Sequence, residues 1–314
     1  MEQRKKLTET NALVLAGGGA KGMYQVAAIK QIEKQLDIKF DVIAGISVGA
    51  INGAMLATDQ FDKCEQMWET ITKDDIHKSL SPLKIAFRVL KWKLGLGDPV
   101  KSIYDNGPIK RLLKQYLKEA VPSIPFYAGR VDLNSGIYES AIRETMSLDK
   151  YVLASASIPG LWDPVQQGDK ALVDGGIRNI SPIWEVLKHD PDNVFIITTE
   201  SHNDERAGTS GDIFEIAQSS IGIMLKELFY EDLERFLQIN DLVLQAEEHG
   251  HALYHGSVRK LKYYNPVIIS PTVSLGSALD YSREQLQFRK EQGKSDTREI
   301  LNSMLVRRND GMDN

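Results

Sequence analysis

The sequence predicts an α/β fold with a mainly parallel sheet, and three observations carry that expectation. A short apolar strand, Ala12-Leu13-Val14-Leu15-Ala16, runs straight into glycines and then into a helical pattern. A second apolar strand, Asp41-Val42-Ile43-Ala44-Gly45, does the same. Strand, glycine, helix, twice in succession, is the order in which parallel strands are joined. The chain has 314 residues, 42% of them hydrophobic, which is enough to bury a substantial core in one domain or one domain with a helical annex.

The elements follow in order. Residues 21–36 read as a helix, because Met23, Val26, Ala27, Ile29 and Ile32 fall near helical spacing. Residues 48–58 read as a helix rich in small residues. Residues 61–121 read as mostly helical, punctuated by Pro82, Pro99 and Pro108. Residues 126–133 and 137–140 read as two strands joined at Asn134-Ser135-Gly136, a tight-turn sequence. Residues 151–157 form a short helix stopped by Pro159-Gly160. Ala171-Leu172-Val173 leads into Asp174-Gly175-Gly176, and residues 193–199 make another buried strand. Residues 213–245 are a long apolar helical region, and Val267 to Ser270 is a last strand before Pro271. The expected organisation is a core over residues 8–200, then a helical continuation with a closing strand over 201–305, packed on the same domain. A flexible tail over 306–314 completes it.

Composition narrows the function classes. Charged residues make up 26% and the formal net charge is −5, which argues against a general nucleic-acid binder. The single cysteine, Cys64, allows no intrachain disulfide and no thiolate-rich metal site. Its setting is helical, so a plain buried or half-buried thiol is expected. The apolar run after the charged start is too short for a signal peptide, and no stretch approaches a transmembrane span. The expected location is cytoplasmic, with contact to a membrane from the side left open.

The chemistry concentrates in two segments. Gly45-Ile46-Ser47-Val48-Gly49 has the spacing of a nucleophile elbow. Ser47 lies between a strand and a helix, where the elbow needs it. The glycines allow close chain approach, and the helix N-terminus favours developing negative charge. Gly17-Gly18-Gly19-Ala20-Lys21-Gly22 also follows a strand and opens a helix, so unpaired backbone N–H groups there can hold an anion. A tight turn would need only one or two glycines. The segment also fits the dinucleotide fingerprint, but that motif wants an acid at the end of the second strand. Here Asp41 begins that strand. An ordinary α/β-hydrolase is awkward too, because Ser47 has room for only two strands upstream.

With these motifs in hand, the chain resembles the patatin-like phospholipases. That family carries a glycine-rich segment, a G-x-S-x-G elbow and an Asp-Gly-Gly or Asp-Gly-Ala triplet. All three stand here in order, ending at Asp174-Gly175-Gly176. Ala154-Ser155-Ala156-Ser157-Ile158-Pro159 is similar to the family's stretch before the triplet. The resemblance covers about residues 12–181. It implies a three-layer α/β fold with a helical C-terminal portion. It implies a Ser–Asp dyad with Ser47 as nucleophile and Asp174 as general base. The amides of Gly17, Gly18, Gly19 and Val48 would form the oxyanion hole. Lys21, Gly22, Gly45, Gly49, Gly175 and Gly176 would support these groups. No metal and no cofactor are implied, and the substrate would be a lipid carboxylic ester. An ordinary carboxylate is a weak base for a hydroxyl, but a desolvated and oriented one serves.

Two readings compete with that one. One is a nucleotide-binding enzyme that uses Gly17 to Gly22; the other is a non-catalytic lipid-binding module. The histidines, His77, His189, His202, His249, His251 and His255, stand in no distinctive setting. His249 and His251 with His255 offer a weak metal pattern that Gly250 and Gly256 turn towards a loop. Lys78 to Lys93 contains Lys84, Arg88, Lys91 and Lys93 and no acid. Leu83, Phe87, Leu90 and Leu94 fall on one side, with Trp92 adding an interfacial ring. A basic amphipathic helix of this kind fits docking on anionic lipid, against the alternative of an ordinary core-packed helix. The sequence sets no oligomeric state.

Overall fold

The computed structural model describes residues 9–76, 78–79, 82–96, 101–142, 146–201, 213–255 and 259–310. The chain opens with β1 (Asn11–Leu15), α1 (Gly22–Leu36), β2 (Val42–Gly45) and α2 (Val48–Ala57). Helices α3 (Phe61–Thr70), α4 (Lys73–Ile76), α5 (Pro82–Lys93) and α6 (Gly107–Leu117) follow. Two short strands, β3 (Lys78–Ser79) and β4 (Tyr104–Asp105), pair among them. Next come β5 (Phe126–Asp132), β6 (Tyr138–Ala141), α7 (Leu148–Ser155), β7 (Val165–Gln167) and β8 (Lys170–Asp174). The chain ends with α8 (Ile183–Leu187), β9 (Asn193–Ile197), α9 (Ile213–Glu248), the small pair β10 (Tyr254–His255) and β11 (Arg259–Lys260), β12 (Val267–Ile269) and α10 (Arg283–Asp310).

The main sheet runs in the order β12-β9-β1-β2-β5-β8-β7, with β6 beside β5. The five strands from β12 to β5 are mutually parallel. Strands β8 and β6 pair antiparallel with β5, and β7 pairs antiparallel with β8. The sheet is therefore parallel at its centre and antiparallel at one margin.

Strand periodicity explains the layers. Successive side chains of a strand face opposite ways. Leu13, Leu15, Ile43, Phe195 and Ile197 face one core with Tyr24 and Ile29 of α1, Met55 of α2, Trp68 of α3, Leu113 of α6 and Leu301 of α10. Ala12, Val14, Val42, Ala44, Val194 and Ile196 face the other, with Val186 of α8 and Phe229 and Leu233 of α9. Both faces are apolar because both are covered, as a parallel sheet requires. The result is a three-layer α/β arrangement.

Helix α10 was not separated out by the sequence pattern. It lies against α1, close enough that a side chain at Gly293 would meet the Tyr24 carbonyl carbon at 3.2 Å. Tyr24 donates to Asp296 at 3.1 Å across the same contact. The helix runs to Asp310, into the stretch that composition marks as a tail, and residues 311–314 lie outside the described residues. Cys64 is fully buried on α3.

Candidate active site

The elbow lies between β2 and α2. Strands β1 and β2 are in register at Leu15 and Gly45, so the loops after both emerge at one edge of the sheet. Ser47 adopts φ 56° and ψ −124°, a conformation that side chains rarely take and that stores about 1–3 kcal/mol of strain. Neighbouring bonds hold it there. Ile46 donates to the Leu15 carbonyl at 3.1 Å, and Gly49 donates to the Ile46 carbonyl at 2.8 Å. The Ser47 amide donates to Ser155 Oγ at 3.1 Å. Any side chain at Gly49 would run into the carbonyls of Leu15 and Ala16, so the first turn of α2 can pack on β1 only with glycine there. Gly45 closes β2 just before the turn.

The glycine segment lies beside this elbow. A side chain at Gly17 would stand 3.3 Å from Ser47 Cβ. Gly18 has φ 153°, and a Cβ there would overlap Thr199. Thr199 Oγ1 in turn donates to the Gly17 carbonyl at 2.6 Å. Gly19, Ala20 and Lys21 form one 3-10 turn before α1 begins at Gly22. Ala20 donates to the Ala278 carbonyl at 2.7 Å, and Lys21 Nζ bonds Glu200 Oε1 at 2.7 Å. Among the described residues, the amides of Gly17, Gly18, Gly19 and Val48 donate to no partner. Of these residues, Gly17 lies against Ser47 Cβ, and Gly19 and Val48 border the same cleft as Ser47.

Asp174 reaches the same place from the antiparallel margin. It pairs in register with Arg130, just beyond the stretch of β5 that pairs with β2. Its amide donates to the Ser157 carbonyl at 2.9 Å. The carboxylate Oδ1 accepts from the Gly176 amide at 2.8 Å. Oδ2 is buried without a hydrogen-bond partner among the described residues. Burial pushes the Asp174 carboxyl up to about 7, and the Gly176 amide and the Ser47 hydroxyl pull it part of the way back. Gly175 packs on the backbone of Gly129. Asp232 of α9 lies near the backbone of Ile180 and Ser181, in the loop that follows the triplet.

An apolar cleft opens at Ser47. Met67, Ile71, Leu113, Trp162 and Leu279 line it, and Gly19 and Val48 border it. Its lining side chains are mostly apolar. Among the described residues, no histidine lines it. His189 is engaged with the Tyr127 hydroxyl at 2.8 Å, and His249 Nδ1 bonds the Gln245 carbonyl at 2.8 Å. His77, His202 and the side chain of His255 lie outside the described residues. Among the described residues, no group of three or more His, Cys, Asp or Glu side chains could hold a metal.

The basic helix α5 leaves Phe87, Leu90 and Trp92 exposed, with Leu94 and Leu96 exposed just beyond it. Lys91 Nζ stands over the Phe87 ring at 5.0 Å. The side chains of Lys84 and Arg88 lie outside the described residues. Among the described residues, no helix is long and apolar enough to cross a membrane.

The family model for patatin-like phospholipases matches residues 13–187. The chain belongs to the patatin-like phospholipase family. An uncharacterised NTE family protein of Mycobacterium bovis is 29% identical over 203 residues, covering 64% of this chain and 51% of that protein. Lysophospholipase NTE1 of Saccharomyces cerevisiae is 27% identical over 203 residues, covering 64% of this chain and 11% of that protein. The chain thus aligns to about half of the mycobacterial relative and to a small part of the yeast one. Among solved structures, VipD from Legionella pneumophila is similar at 16% identity and a TM-score of 0.48, over 94% of this chain and 67% of that one.

Several residues that shape this patatin-like site carry no mark in the sequence. Ser155 lies in the family-like stretch, but nothing in its local setting shows it as the acceptor for the Ser47 amide. Thr199, Glu200 and Ala278 lie beyond the matched segment, and nothing local marks them as partners of the glycine loop. Their signal is long-range hydrogen bonding, which one sequence does not display.

Proposed function

We propose that this protein hydrolyses fatty acyl esters of lipids, phospholipids or lysophospholipids, through a serine acyl-enzyme. The observation that carries the reading is the buried carboxylate of Asp174, with Oδ2 unpartnered among the described residues, near the hydroxyl of the strained Ser47. Family membership and the lysophospholipase name borne by a relative support the substrate class.

The steps follow from charge and position. Ser47 Oγ attacks the acyl carbonyl while Asp174 takes its proton. Negative charge moves to the carbonyl oxygen, and the open amides of Gly18, Gly19 and Val48 receive it, with Gly17 shaping the same cradle. The ester C–O bond then breaks, and Asp174 returns the proton to the departing alcohol. Water attacks the acyl-enzyme, Asp174 accepts a proton from it, and the fatty acid leaves as Ser47 recovers its hydrogen. The ion pair of Lys21 with Glu200 holds the cradle in place. The apolar cleft takes the acyl chain. The exposed end of α5, with Lys91 and Lys93 among apolar side chains, rests on anionic lipid.

The test is hydrolysis of a lipid panel by wild type and Ser47→Ala, with released fatty acids identified by mass spectrometry. The reading expects fatty acid from wild type and none above background from the variant. Equal release by both would overturn it.

A further inference from the structure

The cleft at Ser47 is completed by a segment far from the family-matched residues. Residues 275–281 form an irregular strap between β12 and α10. Ala278, Leu279 and Tyr281 of this strap line the cleft together with Ser47. The Ala278 carbonyl also takes the Ala20 amide at 2.7 Å, so the strap is stitched to the glycine loop.

One side chain organises it. Arg289 of α10 is fully buried. Its Nε donates to the Leu275 carbonyl at 2.9 Å and its Nη2 to the Ser277 carbonyl at 2.8 Å. Its Nη1 donates to the Asp280 carbonyl at 2.6 Å and to the Ala20 carbonyl at 3.1 Å. Three of these carbonyls belong to the strap and the fourth to the glycine loop. A planar guanidinium with its donors in a fixed fork sets the relative positions of the carbonyls it bonds. Burying that cation is costly, and the arrangement persists because nearly all of its donors are used. A second arginine of α10, Arg283, bonds the carbonyls of Glu69 and Thr70 at the end of α3. Helix α3 supplies Met67 and Trp68 to the same cleft. One helix therefore anchors two of the segments that line it.

We propose that the strap over residues 275–281, held by Arg289, is the outer wall of the acyl-chain cleft and sets the acyl length that Ser47 accepts. This rests on the hydrolase reading above. Leu279 is the selecting side chain, since it is half-buried and contributes its bulk to the cleft. Arg289 is a positioning residue, which acts through the strap and the glycine loop.

The probes are p-nitrophenyl dodecanoate and p-nitrophenyl butyrate, with kcat and KM measured separately on each. In Leu279→Trp the ratio of kcat/KM for the long ester to that for the short one falls at least about tenfold, chiefly through KM, as a narrowed apolar pocket discriminates. In Leu279→Ala the same ratio rises, because the wall recedes. Arg289→Lys keeps the charge but loses the fork, so it lowers the ratio and flattens the dependence on chain length. Circular dichroism melts check that each variant is folded. A ratio unchanged in both Leu279 variants, or one that moves the same way in both, overturns the strap proposal while an active wild type leaves the hydrolase reading standing. A wild type inactive on every ester overturns both.

Discussion

Ser155 Oγ accepts a 3.1 Å hydrogen bond from the amide of Ser47, the residue whose backbone is forced to φ 56°. The bond ties the elbow to the end of α7. Removing the acceptor leaves a buried N–H without a partner, which costs about 1–3 kcal/mol. Ser155→Ala is expected to lower the urea midpoint accordingly and to cut kcat on a soluble ester by about tenfold. Measured kcat and unfolding curves for the variant check it, and a wild-type kcat would show that the elbow does not need this tie.

A base must be ionised to act. With the Asp174 carboxyl at about 7, the account expects kcat/KM on a soluble ester to climb with pH below neutrality and to level off above it. A rate profile between roughly pH 5 and 9 reads this directly. A limb near the ordinary carboxylate value, or a flat profile, contradicts the burial argument.

The same burial has a stability consequence. The folded carboxyl is raised above its unfolded value of 3.8. The folded state therefore binds the proton more tightly, and stability falls as pH rises between the two values. Asp174→Asn removes the buried charge. The variant is expected to be more stable than wild type above pH 7 by up to about 4 kcal/mol, with the advantage shrinking towards pH 4. It also loses most of its activity. Urea unfolding at both ends of the range tests this, and an advantage independent of pH would argue that Asp174 is not buried as a charge.

Gly18 combines φ 153° with a contact that would place a Cβ on Thr199. Gly18→Ala is expected to cost about 1–3 kcal/mol and to displace the open amides, so activity falls with stability. Thermal melts and ester hydrolysis of the variant check it. Wild-type values in both would mean that the loop tolerates a side chain.

Lys91 and Trp92 lie on exposed α5, away from the cleft lining. Lys91→Glu with Trp92→Ala is expected to weaken binding to phosphatidylglycerol vesicles at least about tenfold and to spare hydrolysis of a soluble ester. Vesicle sedimentation beside a soluble assay separates the two effects. Equal loss in both assays points to a packing role for the helix.

Much of this was legible in the sequence because the information is local. The strands before Gly17 and Gly45 announce themselves by apolar runs, and the order of strand, glycine and helix gives the parallel centre of the sheet. Ser47 and the glycine segment could be named as candidates because their spacing is set by turns of a few residues, whereas Asp174 is named only through the family resemblance. What stayed hidden is non-local. Helix α10 is rich in polar residues, and its packing depends on Gly293 and on Tyr24 bonded to Asp296, which no hydrophobic period records. The Arg289 fork and the strap on Ala20 depend on carbonyls that every residue type carries. The antiparallel placement of β8 was equally silent, although it brings Asp174 to the elbow.

The proposed mechanism turns on activation of the Ser47 hydroxyl by the Asp174 carboxylate. The most direct measurement is the rate and position of labelling by a fluorophosphonate, mapped by peptide mass spectrometry in wild type and Asp174→Asn. The account predicts one modified peptide, carrying the adduct on Ser47, and labelling slowed at least about a hundredfold in the folded variant. An adduct on another residue, or equal labelling rates in the two proteins, would contradict it.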